Sequence, residues 1–557
     1  MDDLIYKHAL YNAVKHDGKA NQGAVISNII GEKPDLKNDI KDLAKKVSDI
    51  IKKINSMSID QQKKELEKYP DKEKKNMGKE RDIFEFLKIK QGSKIRTAFP
   101  PGPEKYPHIG HAKALILNYE LAKKYNGEFY LRFEDTNPTL VKKEFYEIMQ
   151  ENFKWLGVKW DKLDYASDHM DKFYYYAKKL LKENKAYVCD CDKEKIKVSR
   201  AKGIVCAHRS YSEEENLKLF DEMIAGKHKN SIVRLKIDLR HQNTTMRDPA
   251  ILRNIEEPHA RQGKKYHVWP IYDFQNAIMD GVEGITHRLR SKEFEMRNEL
   301  HRYIQNILEL PETNIYEFAR FNMVGVESSG RIIREKIQKK ELFGWDDPSL
   351  TTLVALRRRG FLPQAIKDFV FSTGITKHES TMTWDDLIVH NKRLLDKQCR
   401  RYFFIENPKE IIIKNAPEQK LKLKSHPDNP ELGFRNFETH KKFLITKTDF
   451  DSLSSEKLYR LMDCLNFRTD KVDNKSLIFD SLEYEEYKDK GEKIMHWLPL
   501  SKDLVDVEII MPDHEIKKGK AEYGVKNLKE GDVVQFERFG FCRLDNKKNM
   551  VFWFTHK

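Results

Sequence analysis

A proline-rich turn between an apolar stretch and a helix-forming stretch constrains the fold of this chain most strongly. Residues 96–99 are typical of a short buried strand, and residues 108–117 are typical of a helix with an apolar stripe. A strand that runs into a helix N-terminus is a phosphate-binding arrangement, because the first helical N–H groups have no internal partner and the helix dipole favours anions there. The sequence therefore predicts an anion site at this turn.

Two histidines, His108 and His111, stand on either side of Gly110 at the start of this predicted helix. They are three positions apart, so their imidazoles share one helical face. Gly110 leaves room for a flat ring or a backbone to approach. Imidazole donors beside an anion site suit the phosphate charge that builds up in a transition state. The alternative interpretation is an ordinary helix N-terminus with two surface histidines.

Strand and helix signals alternate over residues 93–185. Residues 94–99 and 128–133 are typical of strands, and helical periodicity follows each of them. This order predicts a parallel sheet with its functional residues at the carboxyl ends of the strands. Glu134 follows the second strand, where a carboxylate suits the ammonium group of an amino acid. A strand-end turn with solvated carboxylates is the alternative.

Four potential metal ligands lie close together in the sequence. Cys189 and Cys191 are followed, after fourteen residues, by Cys206 and His208. Two cysteines followed by a cysteine and a histidine suit tetrahedral zinc. The set leaves no coordination position open, so the pattern predicts a structural zinc without a catalytic role. Reduced cysteines in a loop are the alternative.

Charge and composition limit the partners and the compartment. The 557 residues include 103 Lys and Arg against 88 Asp and Glu, a formal net charge of +15, which predicts a polyanionic partner or an anionic surface. There is no apolar run of about 18 residues, so no membrane partner is expected. The first residues lack the order of a signal peptide. Six cysteines are too few for a disulfide scaffold in a chain of this length, and a cytoplasmic location is expected.

Three stretches resemble the signatures of one family. They are residues 100–111 (PPGPEKYPHIGH), 131–138 (LRFEDTNP) and 344–348 (GWDDP). On these motifs the chain resembles the archaeal-type glutamyl-tRNA synthetases, in the glutamyl and glutaminyl subgroup of class I aminoacyl-tRNA synthetases. The resemblance implies a multidomain α/β plus all-β protein that activates glutamate with ATP and Mg²⁺. The glutamyl group would then pass to the 3′ end of tRNA(Glu), or also of tRNA(Gln). The sequence does not show the oligomeric state, and a monomer is expected.

The resemblance also implies a division into domains. An N-terminal helical domain precedes a Rossmann-like catalytic domain, into which a zinc-containing domain for the tRNA acceptor end is inserted. A helical stem-contact region and β-barrel anticodon-binding domains follow, and short alternating runs separated by turn residues support the barrels. The expected boundaries are, in that order, 1–92, 93–185 with 266–330, 186–265, 331–400 and 401–557.

By the same resemblance, individual residues acquire expected roles. The ATP-binding set is Pro101, Pro103, His108, Ile109, Gly110, His111 and Ser329. The glutamate-binding set is Glu134, Tyr272 and Arg290. Arg290 carries most weight, because glutaminyl enzymes have a small uncharged residue there and a guanidinium pairs bidentately with a γ-carboxylate. The expected tRNA-binding residues are Arg357, Arg358 and Arg359.

The chain departs from the family pattern at three places, and all three fall in the expected active site. Relatives usually have arginine at Ala98, and a small residue followed by glycine at Glu104 and Lys105. The second family signature places a mobile lysine on the ATP phosphates, but this chain has Ile332 at the expected position. We therefore expect Arg331 to supply the catalytic cation. The departures at Ala98 and at residues 327–332 motivate one alternative, a divergent tRNA-binding paralogue with weak or no glutamate activation. A glutaminyl enzyme is the other alternative, and Arg290 disfavours it.

Overall fold

The computed structural model describes residues 2–15, 18–32, 40–66, 68–69, 82–90, 92–327, 329–470 and 476–557. The chain divides into two compact units, residues 1–82 and residues 83–557. Residues 63–80 are highly charged and contain Pro70 and Gly78, which predicts a solvated linker, and most of this stretch lies outside the described residues. No helix in the described ranges combines the length and the apolar character needed to cross a membrane.

The first unit is built from helices around an apolar core. Its helices are α1 (Asp2–Lys15), α2 (Gln22–Glu32), α3 (Ile40–Asn55) and α4 (Ile59–Leu66). The buried residues of α3, among them Val47 and Ile54, recur at helical spacing and face this core. The unit ends at residue 82, before the boundary near 92 that we expected. Phe84 and Leu87 instead join the main core of the second unit.

The second unit begins with three strands that alternate with helices. The elements are β1 (Arg96–Phe99), α5 (Ile109–Lys124), β2 (Glu128–Phe133), α6 (Lys143–Trp155), β3 (Lys162–Tyr165) and α7 (Met170–Lys182). β1 pairs in parallel with β2, and β2 pairs in parallel with β3. β1 and β2 are mostly buried because helices pack against the sheet, whereas β3 at the edge of the sheet is more exposed. The strand and helix positions expected from hydrophobic periodicity are therefore confirmed here.

A second, smaller sheet interrupts this fold. Its elements are β4 (Ala186–Cys189), α8 (Lys193–Lys202), α9 (Glu213–Ile224), β5 (Ile232–Leu235), β6 (Ala250–Asn254) and β7 (Val268–Pro270). The four strands pair antiparallel in sequence order. Trp269 is fully buried in the core beneath this sheet.

The chain then returns to the parallel sheet through α10 (Tyr272–Glu283), β8 (His287–Ser291), α11 (Asn298–Ile307) and β9 (Asn314–Phe318). β8 pairs in parallel with β1, and β9 with β8, so the strand order is β3-β2-β1-β8-β9. The direction of winding reverses between β1 and β8. In open α/β sheets the crevice at the carboxyl ends of such a pair is where ligands bind.

A mainly helical region follows. It contains β10 (Phe321–Met323), α12 (Gly330–Gln338), α13 (Leu353–Arg359), α14 (Pro363–Thr373), β11 (Ser380–Met382) and α15 (Trp384–Gln398). Thr352 caps α13 by accepting a hydrogen bond from Ala355 N, and Pro363 is the first residue of α14. Both are common helix-start signals.

The last part of the chain is predominantly β, as expected. Its first elements are β12 (Arg401–Tyr402), β13 (Phe404–Glu406), β14 (Pro408–Lys414), β15 (Gln419–Lys424), β16 (Phe434–Thr439), β17 (Lys442–Thr446), α16 (Lys447–Asp451), β18 (Leu458–Leu461), β19 (Leu465–Thr469) and β20 (Leu477–Ser481). The remaining elements are α17 (Tyr484–Lys488), β21 (Gly491–Met495), β22 (Leu498–Pro499), β23 (Val505–Ile510), β24 (Ile516–Ala521), β25 (Val533–Phe536), β26 (Gly540–Asn546) and β27 (Val551–His556). Most of these strands form two seven-stranded sheets, each with its own apolar core, and β15 and β16 form a separate two-stranded sheet.

Candidate active site

A cavity of about 450 Å³ opens at the carboxyl ends of β1 and β8. Phe99 to Gly102, the start of α5, Glu134, Tyr272 and the side chains of β8 contribute to its wall. The cavity therefore lies at the point of the parallel sheet where the winding reverses, which is where a ligand site is expected. The structure brings the expected phosphate-binding turn and the expected amino-acid-binding residues to one place.

The two histidines at the start of α5 are neutral hydrogen-bond donors. Gly110 N donates to His108 Nδ1 at 3.0 Å, and His108 N donates to His111 Nδ1 at 3.2 Å. Because both Nδ1 atoms accept, each neutral ring carries its proton on Nε2. Burial lowers the pKa of His108 to about 3 and that of His111 well below its usual value. Both imidazoles are thus uncharged donors at neutral pH.

Gly110 is required by the ring of His108. A Cβ atom on Gly110 would lie 2.8 Å from His108 Cε1 and 2.9 Å from its Nδ1. A methyl group there would displace the imidazole and break its hydrogen bond to Gly110 N. From the sequence we expected Gly110 to leave room for a flat ring or a backbone. In the structure the imidazole ring of His108 occupies that space.

Glu134 lies in the cavity at the end of a buried chain of charges. Arg288 Nη2 lies 3.3 Å from Glu134 Oε1, and Arg288 Nη1 lies 2.5 Å from Asp280 Oδ2. Asp280 Oδ1 also accepts a hydrogen bond from Arg132 Nη2 at 2.7 Å. Burial raises the pKa of Asp280, but Arg288 and Arg132 outweigh it and hold the value at about 2. Asp280 thus stays ionised and fixes the guanidinium that faces Glu134.

Burial raises the pKa of Glu134 to about 7, although Arg288 and Arg132 act against this shift. The carboxyl group is therefore poised to ionise fully when a further cation, such as an ammonium group, enters the cavity beside it.

Arg290 is the second buried guanidinium in the cavity wall. Its Nε donates to Asn298 Oδ1 at 3.0 Å, and its Nη2 donates to the same oxygen. Burial lowers its pKa from the usual value. Tyr272 stacks on Phe294 with 5.1 Å between ring centroids, and both rings line the same cavity. A buried arginine without a carboxylate partner is costly, so this end of the cavity suits an anionic ligand group.

The four predicted metal ligands converge in the small antiparallel sheet. Cys189 ends β4, Cys191 follows it, and Cys206 and His208 come from the loop after α8. Their ligand atoms all lie within 4.8 Å of one another. Cys189 Sγ is 3.9 Å from Cys206 Sγ, and Cys191 Sγ is 3.5 Å from His208 Nδ1. Tetrahedral zinc with bonds of about 2.3 Å to sulfur and about 2.1 Å to nitrogen requires separations of about this size. The residues therefore fit a structural zinc.

Comparison with protein families decides what kind of protein carries this cavity. The family model described as the catalytic domain of class I tRNA synthetases (E and Q) matches residues 94–397. Two models of the anticodon-binding domain of the same family match residues 399–487 and 468–545. The chain belongs to the class I tRNA synthetases for glutamate and glutamine. The fold class expected from the sequence is confirmed.

Relatives that align with nearly the whole chain are named glutamate–tRNA ligases. The glutamate–tRNA ligase of Pyrococcus furiosus is 39% identical over 100% of both chains. That of Methanocaldococcus jannaschii is 38% identical over 99% of this chain and 98% of its own. A crystal structure of a glutamate tRNA ligase from Elizabethkingia meningosepticum, in complex with its amino acid, has 20% identity and a TM-score of 0.41, and covers 55% of this chain and 70% of that chain.

The synthetase cavity also contains cationic residues that our sequence analysis did not assign to it. They are Lys105, Lys113, Arg288 and Arg320. For Arg288 a signal was present, because alternate residues of a strand face the same side and Arg290 was already expected in the cavity. Lys105 was noted only as a departure from the family pattern. Lys113 and Arg320 carried no sequence signal that separates them from surface residues.

Three of the expected catalytic or ATP-binding residues are not brought to this cavity. Of the residues that the structure describes, Pro103, Ser329 and Arg331 do not line it. Pro103 is buried and its carbonyl accepts from Lys142 N at 3.1 Å. Ser329 caps α12, and its Oγ accepts from Ile332 N.

Arg331 is directed to solvent, which corrects our expectation that it faces the phosphates. Its side chain is 83% exposed, and its Nε lies 3.8 Å from Glu335 Oε1. Ile333 of the same helix is buried in a cluster with Leu350 and Ala355. Residues two apart on an α-helix are about 200° apart, so the burial of Ile333 turns Arg331 away from the interior.

The expected tRNA-binding cluster is corrected as well. Arg359 is buried, donates to the carbonyls of Pro348 at 2.9 Å and Thr555 at 2.7 Å, and its pKa is lowered by burial to about 10. Arg358 pairs with Asp346 and Asp545. Only Arg357 of the three is exposed. Two of these arginines therefore hold α13 against the final β region, and Arg357 remains the candidate for a phosphate contact.

We expect Arg359→Ala to destabilise the fold and Arg357→Ala to weaken tRNA binding without doing so. Loss of Arg359 leaves two buried carbonyls without donors, which costs about 2–4 kcal/mol in the free energy of unfolding. Denaturant unfolding and tRNA filter binding over a salt series measure the two effects. Equal stability losses in both variants would contradict this assignment.

Proposed function

We propose that this chain activates glutamate with ATP to form glutamyl-adenylate and transfers the glutamyl group to the 3′ end of tRNA(Glu). The observation that carries the proposal is one cavity that contains the carboxylate of Glu134, whose side chain is 11% exposed, and the buried guanidinium of Arg290. A glutamate molecule presents an ammonium group and a γ-carboxylate, which complement these two charges. The relatives that align with nearly the whole chain are named glutamate–tRNA ligases, which supports the same assignment.

The ATP phosphates belong, in this proposal, at the N-terminus of α5. The dipole of that helix favours an anion there. The N–H groups of Ile109 and Gly110 already donate to Thr351 O and to His108 Nδ1, so the site depends on the dipole and on the imidazole donors. His108 and His111 are neutral and carry Nε2 protons, so they add two donors without introducing charge. Mg²⁺ enters as the counter-ion of ATP. The reaction then depends mainly on positioning and on charge stabilisation.

In this proposal the remaining domains bind the tRNA. The net charge of +15 favours a polyanion. The small antiparallel sheet with its proposed zinc would hold the acceptor end, and the final β region would contact the anticodon. We propose that a monomer is sufficient, because both charges of the glutamate site come from one chain.

Two alternatives make different predictions for the same assay. In a glutaminyl enzyme, glutamine rather than glutamate would be activated, and the buried guanidinium of Arg290 would then face an uncharged amide. In a paralogue without activity, no amino acid would be activated. The absence of a lysine at the expected position of the second signature motivates this second alternative.

The test is amino-acid-dependent exchange between ATP and pyrophosphate, with and without tRNA(Glu). We expect exchange with glutamate and none with glutamine. Exchange with glutamine alone would establish the glutaminyl alternative, and no exchange with any amino acid would establish the paralogue. Charging of separate tRNA(Glu) and tRNA(Gln) transcripts with radiolabelled glutamate then shows whether both are substrates.

A further inference from the structure

The activation step needs a positive charge beside the ATP phosphates, and the residues assigned to that site above do not supply it. When an oxygen of the glutamate α-carboxylate attacks the α-phosphorus of ATP, the bond to the bridging oxygen breaks and its electron pair leaves with pyrophosphate. The leaving pyrophosphate gains negative charge. His108 and His111 are neutral, and Arg331 is directed to solvent.

Most cations of the cavity already have partners. Arg288 pairs with Asp280 and Glu134, and Arg290 is hydrogen-bonded to Asn298 at the end assigned to glutamate. Lys113 Nζ donates to Ala319 O at 3.0 Å, and burial lowers its pKa to about 8. Arg320 Nη1 lies 3.1 Å from Glu293 Oε2, and its side chain is 65% exposed.

Lys105 is placed differently. It lies in the turn just before α5 and lines the main cavity beside both histidines. It also lines the small adjoining cavity of about 20 Å³, with Glu327 and Gly330 at the start of α12. Within the described ranges, no carboxylate lies within ion-pairing distance of its ammonium group. Its side chain thus stands between the N-terminus of α5 and that of α12, with its charge uncompensated by a salt bridge.

The neighbours of Lys105 locate its backbone and the stem of its side chain. A Cβ atom on Gly330 would lie 3.6 Å from Lys105 Cδ, so the lysine stem passes close to the start of α12. The next residue, Tyr106, stacks on Trp345 with 5.1 Å between ring centroids. The charge of Lys105 contributes to the lowered pKa of His108 and of His111, after the larger effect of burial. Its ammonium group therefore acts electrostatically on the proposed phosphate site.

We propose that Lys105 is a catalytic residue that binds the β- and γ-phosphates of ATP and stabilises the leaving pyrophosphate. This proposal deepens the proposed function and rests on it. Lys105 keeps its proton throughout, so it neither donates nor accepts one in the step. A lysine ammonium is a compact charge on a flexible stem, which suits a group that follows the phosphates as the bond breaks.

The test compares four variants of the full-length protein. They are Lys105→Met, Lys105→Arg, Arg331→Met and, as a control just after the helix that carries Arg331, the exposed Lys339→Met. We expect Lys105→Met to lower the rate of glutamate-dependent exchange by about 10² with the KM for glutamate unchanged, a loss comparable to removal of one transition-state donor. Lys105→Arg should keep most of the rate. Arg331→Met and Lys339→Met should match the parent.

Calorimetric binding of inorganic pyrophosphate gives a readout that does not depend on turnover. Lys105→Met should bind it at least about tenfold more weakly than the parent, since one charged contact is lost. Equal pyrophosphate binding, or exchange within twofold of the parent, would overturn the proposal for Lys105. A parent protein that binds pyrophosphate through Lys105 but activates no amino acid would overturn the proposed function instead. Thermal unfolding checks that each variant is folded, and Lys105→Gln replaces Lys105→Met if the latter is not.

Discussion

Replacing Arg290 by cysteine is expected to lower kcat/KM for glutamate by a factor of about 10² to 5 × 10³. The guanidinium is buried in the cavity and is held by Asn298. In the variant, the γ-carboxylate would lie in the same low-dielectric space without its partner, which costs about 3–5 kcal/mol. The KM for ATP should change little, because Arg290 lies on β8 and the proposed phosphate site lies at the start of α5.

The matched control is Arg302→Cys on α11, an arginine whose side chain is 50% exposed. It makes the same substitution close by in the sequence but outside the cavity lining. Steady-state exchange kinetics with glutamate and with ATP varied separately measure both variants. Unchanged glutamate kinetics in Arg290→Cys would mean that the γ-carboxylate binds elsewhere, and activation of glutamine by the parent would then need to be examined again.

The second large effect is expected at the metal cluster. Purified protein should contain about one equivalent of zinc, because four protein ligands complete the tetrahedral coordination of one ion. Zinc contributes about 10–16 kcal/mol of apparent binding free energy in zinc-finger peptides, so its loss should unfold the segment between Cys191 and Cys206, which contains α8. Cys191→Ser, or prolonged chelation, should therefore abolish the zinc content and expose residues 190–208 to protease. Glutamylation of tRNA should fall more than ATP binding, because the cluster belongs to a different sheet from the ATP cavity.

Cys464→Ser provides the control for this experiment. Cys464 is also a buried free cysteine, but it lies in the core of the final β region. Its substitution should leave the zinc content at one equivalent. Elemental analysis and limited proteolysis give readouts that do not depend on enzymatic activity. A fully folded, metal-free parent protein would remove the zinc hypothesis.

The features that the sequence predicted well are those with local causes. Strand 96–99 and helix 109–124 follow from apolar periodicity and from the proline-rich turn between them. The ligands of the metal cluster are fixed by the spacing of two short pairs in the sequence. Glu134 follows a buried parallel strand, and the carboxyl end of such a strand lies at the site edge of the sheet.

Side-chain direction on the later helices could not be predicted in the same way. Arg331 and Arg359 both belong to basic stretches, yet one is exposed to solvent and the other is buried. The difference depends on what each helix packs against. Ile333 fixes the rotation of α12 because it packs in a cluster with Leu350. The buried guanidinium of Arg359 donates a hydrogen bond to the carbonyl of Thr555, which lies 196 positions further along the chain. No local pattern contains these partners.

The sequence alone thus predicted the class of fold, the four residues that fit a metal site, and the pair of opposite charges, Glu134 and Arg290, that we propose to bind glutamate. Only the tertiary structure decided which further cations reach the cavity. It turned Arg331 outward, buried Arg359, and placed Lys105 between the starts of two helices. The physical reason is that strand alternation and ligand spacing are set by neighbours in the chain, whereas the rotation of a helix and the path of a lysine side chain are set by long-range packing.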